Sequence, residues 1–308
     1  FRCVSLNGNN KYKDLLKGRE LFKKIYTPLI RTLNLIHNNN EKFEWKTFIH
    51  YWLNSLIFFY LQNKNKNKKV LDYKTIKKFQ LINNDYLDFN KMLNDKRFNL
   101  FYFYMLDNLK SKKLDYFLNF IYGNDIELNY KKNFKSYLKF FFYRVFGNFF
   151  NHSLYINLST TKKLRWNFFL KSSFKVLFFI PVDNSKYKIK KRKCDILRRK
   201  KAHKIFSEFT KYKNLDKNLI KLLFILLPFS YFENFENLEH AVKDKKKIKP
   251  KNVMIDGAES FNEPLKLLIS YWVSNGCKLY NVQHSANHLD LALHSYYQFW
   301  TKFSYKYI

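Results

Sequence analysis

Glycine, proline and cysteine are scarce in this chain of 308 residues, and their scarcity excludes several kinds of site. The six glycines are too widely spaced to build a P-loop or a Gly-x-Gly-x-x-Gly turn, the loops whose amides hold nucleotide phosphates. No Gly-x-Ser-x-Gly nucleophile elbow occurs either. Cys3, Cys194 and Cys277 are far apart and odd in number, which argues against a disulfide framework or a zinc finger.

Long uncharged runs are also few. Residues 47–63 carry no formal charge, but their apolar part is shorter than the about 20 residues that a membrane-spanning helix needs. Residues 222–232 form a shorter apolar run that Pro228 interrupts. Both runs are therefore predicted to be buried helices, and no membrane contact is expected.

Acidic residues are outnumbered: 24 Asp and Glu stand against 58 Lys and Arg, which gives a formal net charge of +34. Because self-repulsion of this size opposes folding, we expect a polyanionic partner. Hydrophobic residues make up 46% of the chain and aromatic residues 20%, enough for a large core. The abundance of residue types with AT-rich codons indicates an AT-rich genome, and we predict an organelle-encoded protein of the mitochondrial matrix.

Hydrophobic spacing predicts an α/β protein whose N-terminal half is mostly helical. Apolar residues recur every three to four positions in 12–36, 42–62, 95–121 and 133–150, so residues 1–150 are predicted to be mostly α-helical. Strand-like patterns begin at 153–158 and 174–182. Residues 151–308 are therefore predicted to form an α/β domain, with a basic helical insertion at about 185–240.

The C-terminal residues predict a Rossmann-like parallel-sheet unit. Residues 252–256 have the pattern of a strand, 264–274 that of an amphipathic helix ended by Asn275 and Gly276, and 277–283 that of a second strand. Strand, helix and strand in this order form a parallel βαβ unit. Because ligands bind at the carboxyl ends of such strands, that edge is predicted to carry Asp256 and His284.

The densest positive charge lies between residues 186 and 204, where Asp195 is the single acid. Like charges one turn apart destabilise an isolated helix, so we expect this segment to be ordered only against a polyanion. Cations that face phosphates release counterions, which favours an RNA backbone as the partner. A second cationic loop covers residues 243–251. The predicted RNA-binding residues are Lys186, Lys188, Lys190, Lys191, Arg192, Lys193, Arg198, Arg199, Lys200, Lys201, Lys204, Lys245, Lys246 and Lys247.

The C-terminal unit resembles the small-subunit ribosomal protein S-two family. The resemblance rests on residues 249–256 (KPKNVMID), 275–282 (NGCKLYNV) and 284–287 (HSAN). It implies a Rossmann-like domain that binds no nucleotide and carries an inserted helical hairpin. It further implies a structural constituent of an organellar small ribosomal subunit, not an enzyme. The partners would be ribosomal RNA and neighbouring ribosomal proteins, with no small-molecule substrate and no cofactor.

Two alternatives remain open. Val282-Gln283-His284 is similar to the strand–loop sequence Val-Gln-His-Gly of some sugar transferases with two Rossmann-like domains, where the histidine touches a donor phosphate or acts as a base. Ser285 stands in place of the glycine. The uncharged segment 47–63 instead suggests a structural subunit of an organellar membrane complex.

A histidine cluster near the C-terminus could imitate a metal site. It consists of His284, His288 and His294, with Asp290 nearby. No His-Glu-x-x-His glutamate and no cysteine pair accompany it. We therefore predict a polar surface or RNA contact there, and no metal.

Overall fold

The structure is a computed structural model, and it describes residues 8–38, 45–63, 86–93, 113–122, 153–156, 162–173, 175–178, 194–243, 246, 250–255, 262–281 and 306–307. In chain order the described elements are α1 (Gly8–His37), α2 (Trp45–Asn63), α3 (Tyr86–Leu93), α4 (Leu114–Tyr122), β1 (Ser153–Ile156), α5 (Lys162–Lys171), β2 (Val176–Phe178), α6 (Ile196–Thr210), α7 (Lys217–Ile225), a 3-10 turn (Phe229–Tyr231), α8 (Phe235–Val242), β3 (Asn252–Ile255), α9 (Glu263–Ser274), β4 (Lys278–Asn281) and β5 (Lys306–Tyr307).

Two compact units interleave along the sequence. Unit 1 comprises Phe1–Asn40, Tyr51–Glu127 and Lys191–Glu233, and unit 2 comprises Glu41–His50, Leu128–Lys190 and Asn234–Ile308. Unit 1 therefore contains the basic helix α6 together with α1, and unit 2 contains the sheet. The division into 1–150 and 151–308 stays a prediction.

Helix α1 confirms the helix predicted over residues 12–36. Its buried apolar side chains recur every three or four positions, as an amphipathic helix requires; they are Phe22, Ile25, Leu29 and Leu33. At Gly18 the backbone comes close to a ring of α2, because a Cβ there would lie 2.7 Å from Cζ of Phe58. Glycine permits this approach, which any side chain would disturb.

Helix α2 confirms the buried helix predicted for the uncharged segment. In unit 1 its Trp52 is buried, and the indole Nε1 donates a hydrogen bond to the carbonyl of Leu226 at 3.0 Å. Leu226 is the first residue after α7, where helix carbonyls lack partners within the helix. No helix in the described part of the chain is both long and apolar enough to cross a membrane.

The described strands of unit 2 form one parallel sheet in the order β2-β1-β3-β4-β5. Leu154 of β1 lies opposite Leu177 of β2 on one side and Val253 of β3 on the other. Burial alternates along β1 and β3, as expected for strands that present one face to a core. The α/β class, with a mostly helical N-terminal half and a parallel C-terminal sheet, is thus confirmed.

Helix α9 connects β3 to β4 and is buried along most of its length, from Glu263 to Trp272. It packs on α8, where the Tyr271 hydroxyl donates a hydrogen bond to the Glu239 carboxylate. Gly276 ends the helix with a φ of 90°, the left-handed conformation that glycine adopts without strain. The predicted ending at Asn275 and Gly276 is therefore confirmed.

Candidate active site

The chain adds strands to opposite sides of the sheet from β1 and from β3, which are neighbours in it. From β1 the chain crosses through α5 to β2 on one side, whereas β3 leads through α9 to β4 on the other. Right-handed crossovers that run in opposite directions place α5 and α9 on opposite faces of the sheet. The carboxyl ends of β1 and β3, at Ile156 and Ile255, thus mark a topological switch point, where open α/β sheets bind ligands.

The sequence that follows each central strand is polar. Residues 157–161 (NLSTT) follow β1, and residues 256–261 (DGAESF) follow β3. Asp256 comes directly after the last residue of β3, and His284 follows β4. Asp256 and His284 lie outside the described residues, so their place at the carboxyl edge stays a prediction.

The first turn of α9, which follows the β3 connection, satisfies two of its own backbone amides. The side-chain Oδ1 of Asn262 accepts a hydrogen bond from the Leu265 N–H at 3.0 Å, and its carbonyl accepts one from the Lys266 N–H at 2.9 Å. Pro264 has no N–H to offer. Because these two amides are occupied, the first turn of α9 does not offer them to a phosphate, unlike the free amides of a glycine-rich phosphate loop.

The same turn holds a buried ion pair. Lys266 Nζ lies 2.6 Å from Glu263 Oε1, and the two side chains are 0% and 3% exposed. The Lys266 ammonium also lies 5.9 Å from the centroid of the Phe48 ring. Removing two charges from water costs several kcal/mol per ion, and their attraction offsets this cost only in good geometry. The pair therefore fixes the start of α9, where the chain arrives from β3.

The buried pair of Glu263 and Lys266 was not predicted from the sequence. The apolar periodicity of 264–274 predicts the helix, and two charges at its start resemble an ordinary solvated first turn. The available signal is their spacing: opposite charges three positions apart lie on the same side of a helix. This spacing indicates a buried ion pair only if the turn itself is buried, and its burial depends on packing against residues distant in sequence.

Arg199, one of the predicted RNA-binding residues, lies inside unit 1. Its Nε and Nη2 donate to Oε1 and Oε2 of Glu233 at 2.6 and 2.7 Å. Nη1 donates to the Phe224 carbonyl at 2.7 Å and Nη2 to the Leu227 carbonyl at 2.9 Å. Arg199 thereby satisfies carbonyls at the end of α7, and none of its side chain is exposed.

The expectation that the basic segment is ordered only against a polyanion is wrong for α6. Asp195 caps the helix by accepting a hydrogen bond from the Arg198 N–H at 2.9 Å. Glu233 neutralises Arg199 from within the same unit. The local sequence does not show the acid that neutralises Arg199, since Glu233 is 34 residues away.

Arg198 and His37 form a second, partly buried arrangement in unit 1. Arg198 Nη2 donates to the Ile36 carbonyl at 3.1 Å and lies 3.2 Å from His37 Nδ1. His37 Nε2 lies 3.1 Å from the Tyr231 carbonyl. Because Nδ1 faces a donor and Nε2 faces an acceptor, the ring is neutral with its proton on Nε2. Burial, reinforced by the Arg198 charge, lowers the pKa of His37 to about 4.

The remaining predicted cations are distributed as follows. Lys200 Nζ pairs with Asp115 Oδ2 at 3.1 Å, while Lys201 and Lys204 are exposed on α6. Lys246 Nζ, in unit 2, lies 4.5 Å from the centroid of the Tyr271 ring. RNA contact by any of these residues stays a prediction. Outside the described residues are Lys186, Lys188, Lys190, Lys191, Arg192, Lys193, Lys245 and Lys247.

Cysteine chemistry and metal chemistry find no support in the described residues. Burial raises the pKa of both the Cys194 and the Cys277 thiol to about 12, which keeps them protonated and unreactive. Across the described ranges no group of three or more His, Cys, Asp and Glu residues could hold a metal ion. The histidine cluster of residues 284–294 falls outside those ranges.

A parallel sheet with a switch point at its carboxyl edge defines an α/β domain of the kind that many ligand-binding enzymes share. Residues 6–308 match the model of the LIC12162 family transferase, and the chain belongs to that family. No curated protein and no solved structure matches the chain.

Membership of a transferase family corrects the ribosomal interpretation. The resemblance to ribosomal protein S-two was wrong, as were the predictions of a structural ribosomal role, of no enzymatic activity, and of ribosomal RNA and ribosomal proteins as partners without a small-molecule substrate. The resemblance rested on a βαβ unit, which unrelated activities share. The charge argument failed because net charge indicates attraction to polyanions without identifying a function.

Proposed function

We propose that the chain transfers a glycosyl group from a phosphate-activated donor to an acceptor hydroxyl. The observation that carries the proposal is the match to a transferase family over residues 6–308. Two features support the glycosyl class. The sheet has the switch point at which Rossmann-like domains hold nucleotide-linked ligands. The sequence Val282-Gln283-His284 follows β4, as in the sugar transferases that it resembles.

In the proposed reaction the bond between the anomeric carbon and the donor phosphate breaks, and a bond from that carbon to the acceptor oxygen forms. The phosphate leaves with the bonding electron pair. His284 takes the proton of the acceptor hydroxyl as general base, since an imidazole titrates near neutral pH. Asp256, the residue that follows β3 in the sequence, is the proposed group that orients the acceptor through the acceptor's hydroxyls. The buried pair of Glu263 and Lys266 acts as a positioning device for the β3–α9 connection.

A donor panel tests the proposal. The purified chain is incubated with nucleotide-linked sugars, with and without acceptor sugars, and the released nucleotide is measured by chromatography. We expect at least one donor to be consumed, and His284→Ala to lower its turnover by about 100-fold or more, the usual contribution of a general base.

His240→Ala is the matched control, because His240 is an exposed histidine of the same unit, on α8. It should leave turnover unchanged. If no donor is consumed, the proposed reaction is refuted. If the two histidine variants behave alike, the proposed role of His284 is refuted.

A further inference from the structure

Helix α5 of unit 2 exposes an unusual number of large apolar side chains. Trp166 is 62% exposed and Leu170 57%, and Leu164 and Phe168 are also exposed. These four account for nearly half of the exposed large hydrophobic residues in the described part of the chain. Scattered single residues of this kind need no explanation, but four in one ten-residue helix do.

The exposed residues form one continuous surface. Arg165 and Phe169 are half-buried and face the body of unit 2. On the opposite side, Trp166 and Leu170 are one turn apart, as are Leu164 and Phe168. The exposed Lys163 and Lys171 lie between these two pairs on the helical wheel. The outward surface of α5 therefore carries apolar pairs on both sides of a strip of positive charge.

The sequence on either side of α5 carries charge of one sign. Between residues 153 and 182 the chain contains no Asp or Glu, and its cations are Lys162, Lys163, Arg165, Lys171 and Lys175. Ser172 fixes the end of the helix, since its hydroxyl donates to the Phe169 carbonyl at 3.0 Å and accepts from the Val176 N–H at 3.1 Å. The surface is thus held on a structured element next to β2.

We propose that α5 docks the protein on an anionic phospholipid surface. Tryptophan, leucine and phenylalanine beside lysine are the composition of helices that lie in the bilayer interface. The lysines can extend their ammonium groups to lipid phosphates while their alkyl chains accompany the apolar residues. A polyanionic partner such as RNA would attract the lysines but would leave Leu164 and Leu170 exposed, because aliphatic side chains do not stack on bases.

Vesicle binding tests the proposal. The full chain is sedimented with vesicles of phosphatidylglycerol and phosphatidylcholine, and with vesicles of phosphatidylcholine alone. We expect binding to the anionic vesicles, reduced about tenfold or more by Trp166→Ala with Leu170→Asn. Lys163→Gln and Lys171→Gln should each weaken that binding about fivefold. Leu197→Asn on α6 is the matched apolar control and Lys201→Gln the matched charge control, and neither should change it.

Fluorescence separates insertion from simple adsorption of a cationic protein. Trp45, Trp52 and Trp272 are buried and Trp300 lies outside the described residues, so the measurement is made in a Trp300→Phe background, where Trp166 should dominate quenching by lipids brominated on the acyl chains. Trp166→Phe should remove that quenching and retain vesicle binding. Binding without quenching, or binding insensitive to the α5 variants, would overturn the proposal. Self-association of the chain that Trp166→Ala abolishes would also overturn it, because it would identify a second copy of the chain as the occupant. RNA binding that depends on α5, together with no binding to vesicles, would overturn it as well.

Discussion

Lys266 and Glu263 form a 2.6 Å ion pair that is almost completely removed from solvent at the start of α9. The helix follows β3, one of the two strands that form the switch point of the sheet. A buried ion pair contributes little net stability compared with well-packed apolar residues, so its presence here is best explained by the geometry that it imposes. The hydroxyl of Ser270, one turn further along α9, donates to the Lys266 carbonyl at 2.8 Å.

Breaking this pair should destabilise unit 2. Lys266→Met leaves the Glu263 carboxylate buried without its counter-charge, and we expect the free energy of unfolding to fall by about 3–5 kcal/mol. Urea unfolding measured by circular dichroism reports the change. The double variant Glu263→Gln with Lys266→Met should recover much of the loss, because it removes both charges. If the double variant is as unstable as the single one, lost packing and not lost charge explains the effect.

Arg199 should not tolerate replacement by lysine. Lysine keeps the charge but cannot reach Glu233 in two places and the Phe224 and Leu227 carbonyls at once, so unbonded polar atoms would remain buried. We expect Arg199→Lys to cost about 3 kcal/mol in the free energy of unfolding. Arg198→Lys is the control, since Arg198 is partly exposed and should cost about 1 kcal/mol. Equal effects at the two positions would contradict the assignment of Arg199 as the buried anchor.

His37 should make unit 1 sensitive to acid. Its pKa is about 4 in the folded chain, below the ordinary value of 6.5, so the unfolded state binds the proton more readily. The contribution of neutral His37 to the free energy of unfolding is therefore fully present above pH 6.5 and is lost as the pH falls towards 4. The total is on the order of 3 kcal/mol.

The comparison that isolates this contribution is His37→Gln, whose amide can donate to the Tyr231 carbonyl and accept from Arg198. We expect the difference in unfolding free energy between the native chain and this variant to shrink between pH 7 and pH 5. A difference that is constant over this range would show that His37 does not titrate as described.

Local pattern was enough to predict much of the fold. The apolar spacing of α1 and α2, and the strand, helix and strand around Gly276, each require only neighbouring residues, and these elements are confirmed. Unit 1 combines α1 with α6, although about 160 residues separate them. Such packing depends on contacts distant in sequence, which no local pattern records.

The site was harder to predict because charge counts do not show pairing. Arg199 and Lys200 have equal weight in a cationic cluster, yet one is buried against Glu233 and the other pairs with Asp115 at the surface. The exposed apolar surface of α5 was not predicted from the sequence, for a different reason. Its apolar residues occur around most of the helix, so no amphipathic period marks them. The glycosyltransferase alternative rested on one short strand–loop sequence, and the family match favours it over the ribosomal interpretation.

The most direct test of the account is to locate the bound donor. Hydrogen–deuterium exchange is measured by mass spectrometry with and without a nucleotide-linked sugar that the chain consumes. A donor site at the edge of the sheet predicts slower exchange at the carboxyl ends of β1 and β3 and the start of α9, in peptides covering residues 153–161 and 252–266, with little change in α6. Protection confined to residues 194–213, with none at the strands, would contradict a donor site at the edge of the sheet.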